Sequence, residues 1–187
     1  MHTESYHEVP IAMSYLIRNA IGDDLPRLGE LLEAFMQETF QRQWGGNIQQ
    51  LQQDIDGGEL KIIVAETSNQ GVIAFLAWQS HYDLHHCIKG GEVIDLFVCP
   101  NHRCHGIATL LITSAAVEIQ KIGGTFIKGQ AVDNPAAQRL YKRCARCFSA
   151  ADCYVSGRAF RRLVELSGQS LRSIVSNLPQ QAWNYEP

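Results

Sequence analysis

Residues 95–111 read DLFVCPNHRCHGIATLL, from Asp95 to Leu111. Apolar residues close a strand at Val98, Cys99-Pro100 ends it, and a polar loop leads to Gly106. From Gly106 to Ile122, Ile107, Leu110, Leu111, Ser114 and Val117 recur at the spacing of an amphipathic helix. A strand delivered through a loop into a helix start gathers backbone N–H groups in one place, because the first helical turn has no acceptors of its own. Such a terminus attracts phosphate oxygens. Gly106 and the small Ala108 keep bulk away from that backbone, and Arg103 adds a fixed positive charge. The stretch lacks the Gly-Lys-Ser/Thr of a nucleotide P-loop and carries one glycine where a dinucleotide fingerprint needs three.

Working outward, Glu92–Val98 is the strand that feeds this loop, and Gly123-Gly124 ends the helix that leaves it. Thr125–Val132 is the next strand. Asn134-Pro135 then opens a helix through Arg143, since Asn is a good N-cap and Pro suits the first helical position. Phe148–Ser156 reads as a last strand region, and a helix-like tail runs from Ala159 to Asn177. Upstream, Ser14–Ala20 is a strand. Leu25, Leu28, Leu31, Leu32 and Phe35 mark one helix, and Ile48, Leu51 and Ile55 a second between Gly45-Gly46 and Gly57-Gly58. Lys61–Glu66 and Gly71–Ser80 form a hairpin, with His81 to Gly91 as a loop. The order β-α-α-β-β-β-α-β-α-β predicts an α/β fold: a mixed central sheet flanked by helices, with a parallel crossover around residues 92–132. Residues 1–13 are an N-terminal tail, 14–156 the domain, and 157–187 a C-terminal helix and tail.

At 187 residues, 45% apolar and 19% charged, the chain has the material for one packed core, which excludes wholesale disorder. Apolar runs such as Val72–Trp78 are too short for a membrane span, and Met1 to Pro10 has no apolar signal region, so a cytoplasmic protein is expected. A net charge of −3 argues against a nucleic-acid binder. The charge is uneven. Residues 1–60 carry ten acids against three Arg, and residues 61–187 nine acids against thirteen Lys or Arg. Such a division suits a cationic ligand at one end and an anionic one at the other. Six cysteines without a secretory signal are expected as free thiols. The lone Cys144-x-x-Cys147 has no second pair at zinc spacing, so no metal is expected.

A second cluster follows the crossover. In NPAAQRLY, Asn134, Ala137 and Tyr141 stand three and four positions apart, on one helical face. Arg103-x-x-Gly106-x-Ala108 at a strand-to-helix junction, followed by Asn134-x-x-Ala137-x-x-x-Tyr141, resembles the GNAT superfamily of acetyl-CoA-dependent N-acetyltransferases. The resemblance extends over Ser14 to Ser156 and includes the element order. It departs at Cys104 and His105, where the family often has Gly or Lys, and Ala108 is the less frequent choice.

The resemblance implies that backbone groups near Phe97 and Val98 pair with the pantetheine arm of acetyl-CoA. The amides of Arg103, Cys104, His105, Gly106, Ile107, Ala108 and Thr109 would receive its pyrophosphate. Asn134 and Ala137 would flank the arm, and Lys142, with Arg139 and Arg143, would meet the 3′-phosphate. It also implies direct attack of a primary amine on the thioester. A backbone N–H of Phe97 or Val98 would stabilise the oxyanion, and Tyr141 would protonate the leaving thiolate, a phenol being protonated at neutral pH. For the general base, Glu92 is preferred over Asp95. Strand alternation puts the two on opposite faces unless a bulge intervenes.

The acidic front suggests a small cationic amine as acceptor. Glu38, Asp54, Asp56, Glu59 and Asp83 are candidate attractors, and Trp78 and Tyr82 a candidate aromatic wall. Other readings are a protein lysine or N-terminal acetyltransferase, a non-catalytic acyl-CoA sensor, and an interaction module. The last would use Phe160, Leu163, Leu166, Leu171 and Ile174, a stripe that packs on the domain or on a second copy in a homodimer.

Overall fold

The computed structural model describes residues 15–130, 135–147, 152–180 and Trp183. Seven strands form one sheet in the order β1-β2-β3-β4-β5-β7-β6. They are β1 (Leu16–Asn19), β2 (Lys61–Thr67), β3 (Gly71–Asp83), β4 (Ile88–Val98), β5 (Ile127–Gln130), β6 (Arg146–Cys147) and β7 (Asp152–Val155). Every neighbouring pair is antiparallel except β4–β5. That parallel pair is joined by α3 (Ile107–Lys121), the expected crossover.

The sheet buries both faces. On one, α1 (Leu25–Phe40) and α2 (Ile48–Asp56) cover Ile62, Val64, Phe75, Ala77 and Phe97. On the other, α3 and α5 (Gly157–Leu166) cover Ile63, Leu76, Trp78, Val98 and Ile127. The amphipathic stripe expected of α3 understates its burial. Thr109, Ile112, Thr113, Ala115, Ala116 and Ile119 are buried as well, because α3 lies between the sheet and α5. A helix buried nearly all round needs this apolar and small-residue composition.

Three expectations are corrected. Residues 81–91 are not a loop. β3 runs on to Asp83, β4 begins at Ile88, and only Leu84–Cys87 turn between them. Gly90 and Gly91 within β4 are close-approach positions: a Cβ on Gly90 would lie 2.5 Å from the Phe126 ring, and one on Gly91 2.3 Å from Ile119. The final strand region is two short strands, β6 and β7, with residues 148–151 outside those described. The tail is two helices, α5 and α6 (Leu171–Ser176). Phe160 and Leu163 pack into the α3-side core, and Leu166 and Ile174 are buried, so this stripe is covered by the chain's own domain.

One charged network pins the first strand. Arg18 on β1 donates to both carboxylate oxygens of Asp24 (2.6 and 2.9 Å) and to Glu66 on β2 (2.9 Å). Asp24 also accepts from the amide of Ile21 (2.8 Å). The Arg18 guanidinium holds the buried Asp24 carboxyl below its ordinary range. A lowered folded-state value means stability that is present above the unfolded carboxylate's pKa, near ~3.9, and is lost as pH falls through the folded value. Arg18→Met, which strands a buried carboxylate, should cost about 3 kcal/mol, at the lower end of the range for broken buried pairs because Arg18 itself is partly exposed. Chemical denaturation of both proteins at pH 7 measures it. The loss should shrink toward pH 3, where Asp24 becomes protonated in the variant.

Candidate active site

The crossover leaves a gap in the sheet. β4 and β5 pair only at Gly91–Ile127, Glu92–Lys128 and Val93–Gly129, while β4 continues five residues further to Val98. Beyond Val93 no described strand pairs with that edge of β4. The amide of Cys99 donates to Ile73 on β3 (3.0 Å), so by alternation the N–H and C=O of Val98 and Leu96 face away from β3, into the gap. The contact from Arg103 Nε to the Val98 carbonyl (2.8 Å) lies on that side. Phe97 points its backbone toward β3 and its ring toward Phe35 and Phe75, so the gap edge belongs to Leu96 and Val98. Leu96 was missed because only the register with β3 says which amides turn outward.

At the gap's mouth the chain enters α3 through Cys104 and Gly106, both in the left-handed region (φ 63° and 80°). The first bond of the helix is Leu110 N–H to the Gly106 carbonyl (3.1 Å), which leaves the amides of Ile107, Ala108 and Thr109 ahead of it without intrahelical acceptors. Cys104 and His105 are exposed at the same mouth. The cradle is narrower than Arg103–Thr109, because the Arg103 amide donates to Pro100 (3.2 Å). The Arg103 guanidinium is also engaged elsewhere. It lies over the Phe97 ring and donates to Glu38 on α1 (2.7 Å), so it braces β4 against α1 instead of facing the helix start. Gly106 does not leave open space over its Cα: a Cβ there would lie 2.2 Å from a methyl of Leu171 on α6. An anion bound at this turn would have to approach from the side away from Leu171.

The inner end of the gap carries the charged groups. Ala77 pairs with Asp95 and Trp78 with Val93, so Ile94 is an extra residue, a β-bulge. The bulge puts Glu92 and Asp95 on the same face, the one covered further along by α1 and α2. Without it, alternation would separate them. Burial pushes the Asp95 carboxyl up. Glu92 is surrounded by nitrogen: Gln79 Nε2 at 3.3 Å, His81 Nδ1 at 3.3 Å and Lys128 Nζ at 3.7 Å. His81 and Lys128 had given no sequence signal, since their neighbour is set by strand pairing.

Other expected site residues fall variously. Tyr141 lies on α4 (Pro135–Cys144), the helix after β5, half-buried against the α3-side core. Lys142 and Arg143 are exposed in its last turn, and Arg143 donates to the Val175 carbonyl of α6 (2.6 Å). Asn134 lies outside the described residues, and of Ala137 only the helical backbone is described. Trp78 is no aromatic wall: it is buried on the α3 side with Lys61 over its ring. By alternation Tyr82 is on the same side as Trp78. On the face that carries Asp95, Phe97 packs against Phe35, and Phe35 against the exposed Phe40. Among the acids, Glu38 pairs with Arg103, Asp54 accepts from Gln50, and Asp83 holds His86 at the hairpin tip. No group of three His, Cys, Asp or Glu among the described residues could hold a metal ion. No helix among them is long and apolar enough to cross a membrane.

Comparison with known proteins bears on this arrangement. Curated protein sequences returned no match. Solved structures share the fold at low identity. A ribosomal-protein-alanine N-acetyltransferase from Brucella melitensis biovar Abortus 2308 has a TM-score of 0.59 at 17% identity, covering 73% of this chain and 94% of its own. An aminoglycoside acetyltransferase from an uncultured soil metagenomic sample has 0.58 at 20%, covering 68% and 84%. The Escherichia coli GNAT family N-acetyltransferase YhbS, solved in complex with CoA, has 0.57 at 19%, covering 86% and 87%. The model of the acetyltransferase (GNAT) family matches residues 25–145, a span that holds the gapped β4–β5 pair, the amide-bearing start of α3 and Tyr141. With most of its length matched, and with that gap and helix start in its sheet, the chain belongs to the GNAT acetyltransferase family.

Proposed function

We propose that the protein is an N-acetyltransferase that moves an acetyl group from acetyl-CoA to a primary, cationic amine by direct attack in a ternary complex. The single observation that carries the reading is the five-residue stretch of β4 beyond its pairing with β5, ending at the open amides of α3. A pyrophosphate on the amides of Ile107, Ala108 and Thr109 would send its pantetheine arm along Leu96 and Val98, hydrogen-bonding like a strand. The arm would end where the gap closes, at Val93 and the bulge of Ile94. There Glu92 and Asp95 give an anionic face that draws in an ammonium group.

The chain's groups then divide the work. The Glu92 cluster faces the amine, and a backbone N–H at the open edge, Val98 or Leu96, is available for the oxyanion. Tyr141, on the helix leaving the gap's far wall, protonates the departing sulfur. Exposed Lys142 serves the anionic end of the cofactor. Asn134 and Ala137 are assigned to the arm by their place in the motif. Residues 14–156 are the proposed catalytic domain, and the cytoplasm is the proposed compartment.

The test is thiol release from acetyl-CoA in the presence of single primary amines, from alkylamines and polyamines to aminoglycosides and peptides with a free N-terminus. Amine-dependent release with an acetylated product is the expected result. Tight CoA binding without release across the panel would instead make the protein an acyl-CoA sensor.

A further inference from the structure

We propose that His81, held by Glu92, accepts the proton of the attacking amine; this rests on the acetyl-transfer reading above. Glu92 Oε2 faces both Gln79 Nε2 and His81 Nδ1 at 3.3 Å, and Oε1 faces Lys128 Nζ at 3.7 Å. Gln79 donates a hydrogen bond to Oε2, and the His81 and Lys128 nitrogens lie beside the carboxylate at ion-pair distance from β3 and β5. His81 uses only Nδ1 toward Glu92, and its Nε2 makes no hydrogen bond among the described residues. A carboxylate beside Nδ1 favours the proton on that nitrogen electrostatically and leaves Nε2 as the acceptor. The ring is set from a third side, edge-on to Phe126 at 5.8 Å. His81 is part-exposed, and a cleft of about 320 Å³ lined by His81, Tyr82, Lys89 and Gly90 adjoins it, so the proton has a route to water.

The reaction balances. An ammonium gives one proton to His81 Nε2, and the freed lone pair forms the N–C bond. The C–S bond breaks with its electron pair on sulfur, which takes the Tyr141 proton. The second nitrogen proton restores Tyr141 through water. His81 releases its own proton to solvent, so one proton leaves for each acetyl group moved. Glu92 balances the imidazolium charge while it lasts and is a positioning residue, as is Lys128 through Glu92.

The experiment measures acetyl transfer from acetyl-CoA to two small probes, n-propylamine and hydroxylamine. The first is an ammonium at pH 7 and needs a base; the second is already neutral. His81→Ala should lose about 100-fold in kcat/KM with n-propylamine but only a few-fold with hydroxylamine, and imidazole should restore the n-propylamine rate. Glu92→Gln should also lose activity with n-propylamine, without rescue by imidazole. Equal losses with both amines and no rescue would make His81 a structural residue, and an unchanged n-propylamine rate would remove it from the mechanism. A wild-type protein that binds CoA yet acetylates neither these probes nor any amine of the panel above would overturn the acetyl-transfer reading, and the role of His81 would fall with it; where only a panel amine is acetylated, that amine replaces n-propylamine in the same comparison of His81→Ala with and without imidazole.

Discussion

Tyr141→Phe should lower kcat by a factor of about 10²–10³ while leaving the Kd for acetyl-CoA within about twofold. The change removes one oxygen from a half-buried ring that packs against the α3-side core on α4, and Phe keeps that packing. On the proposed mechanism, what is lost is a proton donor for the thiolate that leaves when the C–S bond breaks. The asymmetry between kcat and Kd follows, because that charge exists in the transition state and not in the bound thioester. On the proposed mechanism the two faces of the gap would have separate tasks: Glu92 and His81 would meet the amine on the face α1 and α2 share, and Tyr141 stands with the core on the other. Single-turnover acetyl transfer gives the rate and calorimetry the affinity. A variant that transfers acetyl as fast as wild type would reduce Tyr141 to a packing residue.

Local chemistry carried the sequence reading, and long-range pairing limited it. Gly106 and the helix start after it were legible because a strand, a polar loop and a helical repeat lie within residues 95–111. The partners of that loop were not. Arg103 is engaged by Glu38, 65 positions away, and Gly106 by Leu171, also 65 away, and no local pattern announces either. Residues 81–91 read as a loop between two strands, whereas β3 and β4 pair through them, and Phe126 and Ile119 lie against the bare backbones of Gly90 and Gly91. The Ile94 bulge was the largest loss. Alternation within one strand cannot reveal an extra residue, so whether Glu92 and Asp95 share a face was decidable only from the register with β3. His81 stayed hidden for the same reason, since it meets Glu92 across a strand pair inside what resembled a loop.

Gly106→Val should raise the apparent Kd for CoA by about 100-fold or more, through two separate effects at one position. The first is backbone conformation. Gly106 sits at φ 80°, and a β-branched residue held in the left-handed region costs about 1–2 kcal/mol. The second is space. A Cβ would lie 2.2 Å from a Leu171 methyl and 2.6 Å from the other, and forcing atoms into a packed contact costs about 1–3 kcal/mol. Relief comes from the loop leaving its left-handed turn, which re-aims the amides of Ile107, Ala108 and Thr109. The binding-competent loop becomes a minor state, and affinity falls by the fraction that remains; about 3 kcal/mol corresponds to roughly 150-fold. The double variant Gly106→Ala with Leu171→Ala separates the two effects, since it clears the contact and keeps the strained dihedral. It should bind CoA more tightly than Gly106→Val but about tenfold more weakly than wild type. Calorimetric titration with CoA decides it: wild-type affinity in the double variant would leave the left-handed turn without a role in the cradle, and wild-type affinity in Gly106→Val would mean that the cofactor does not use this helix start.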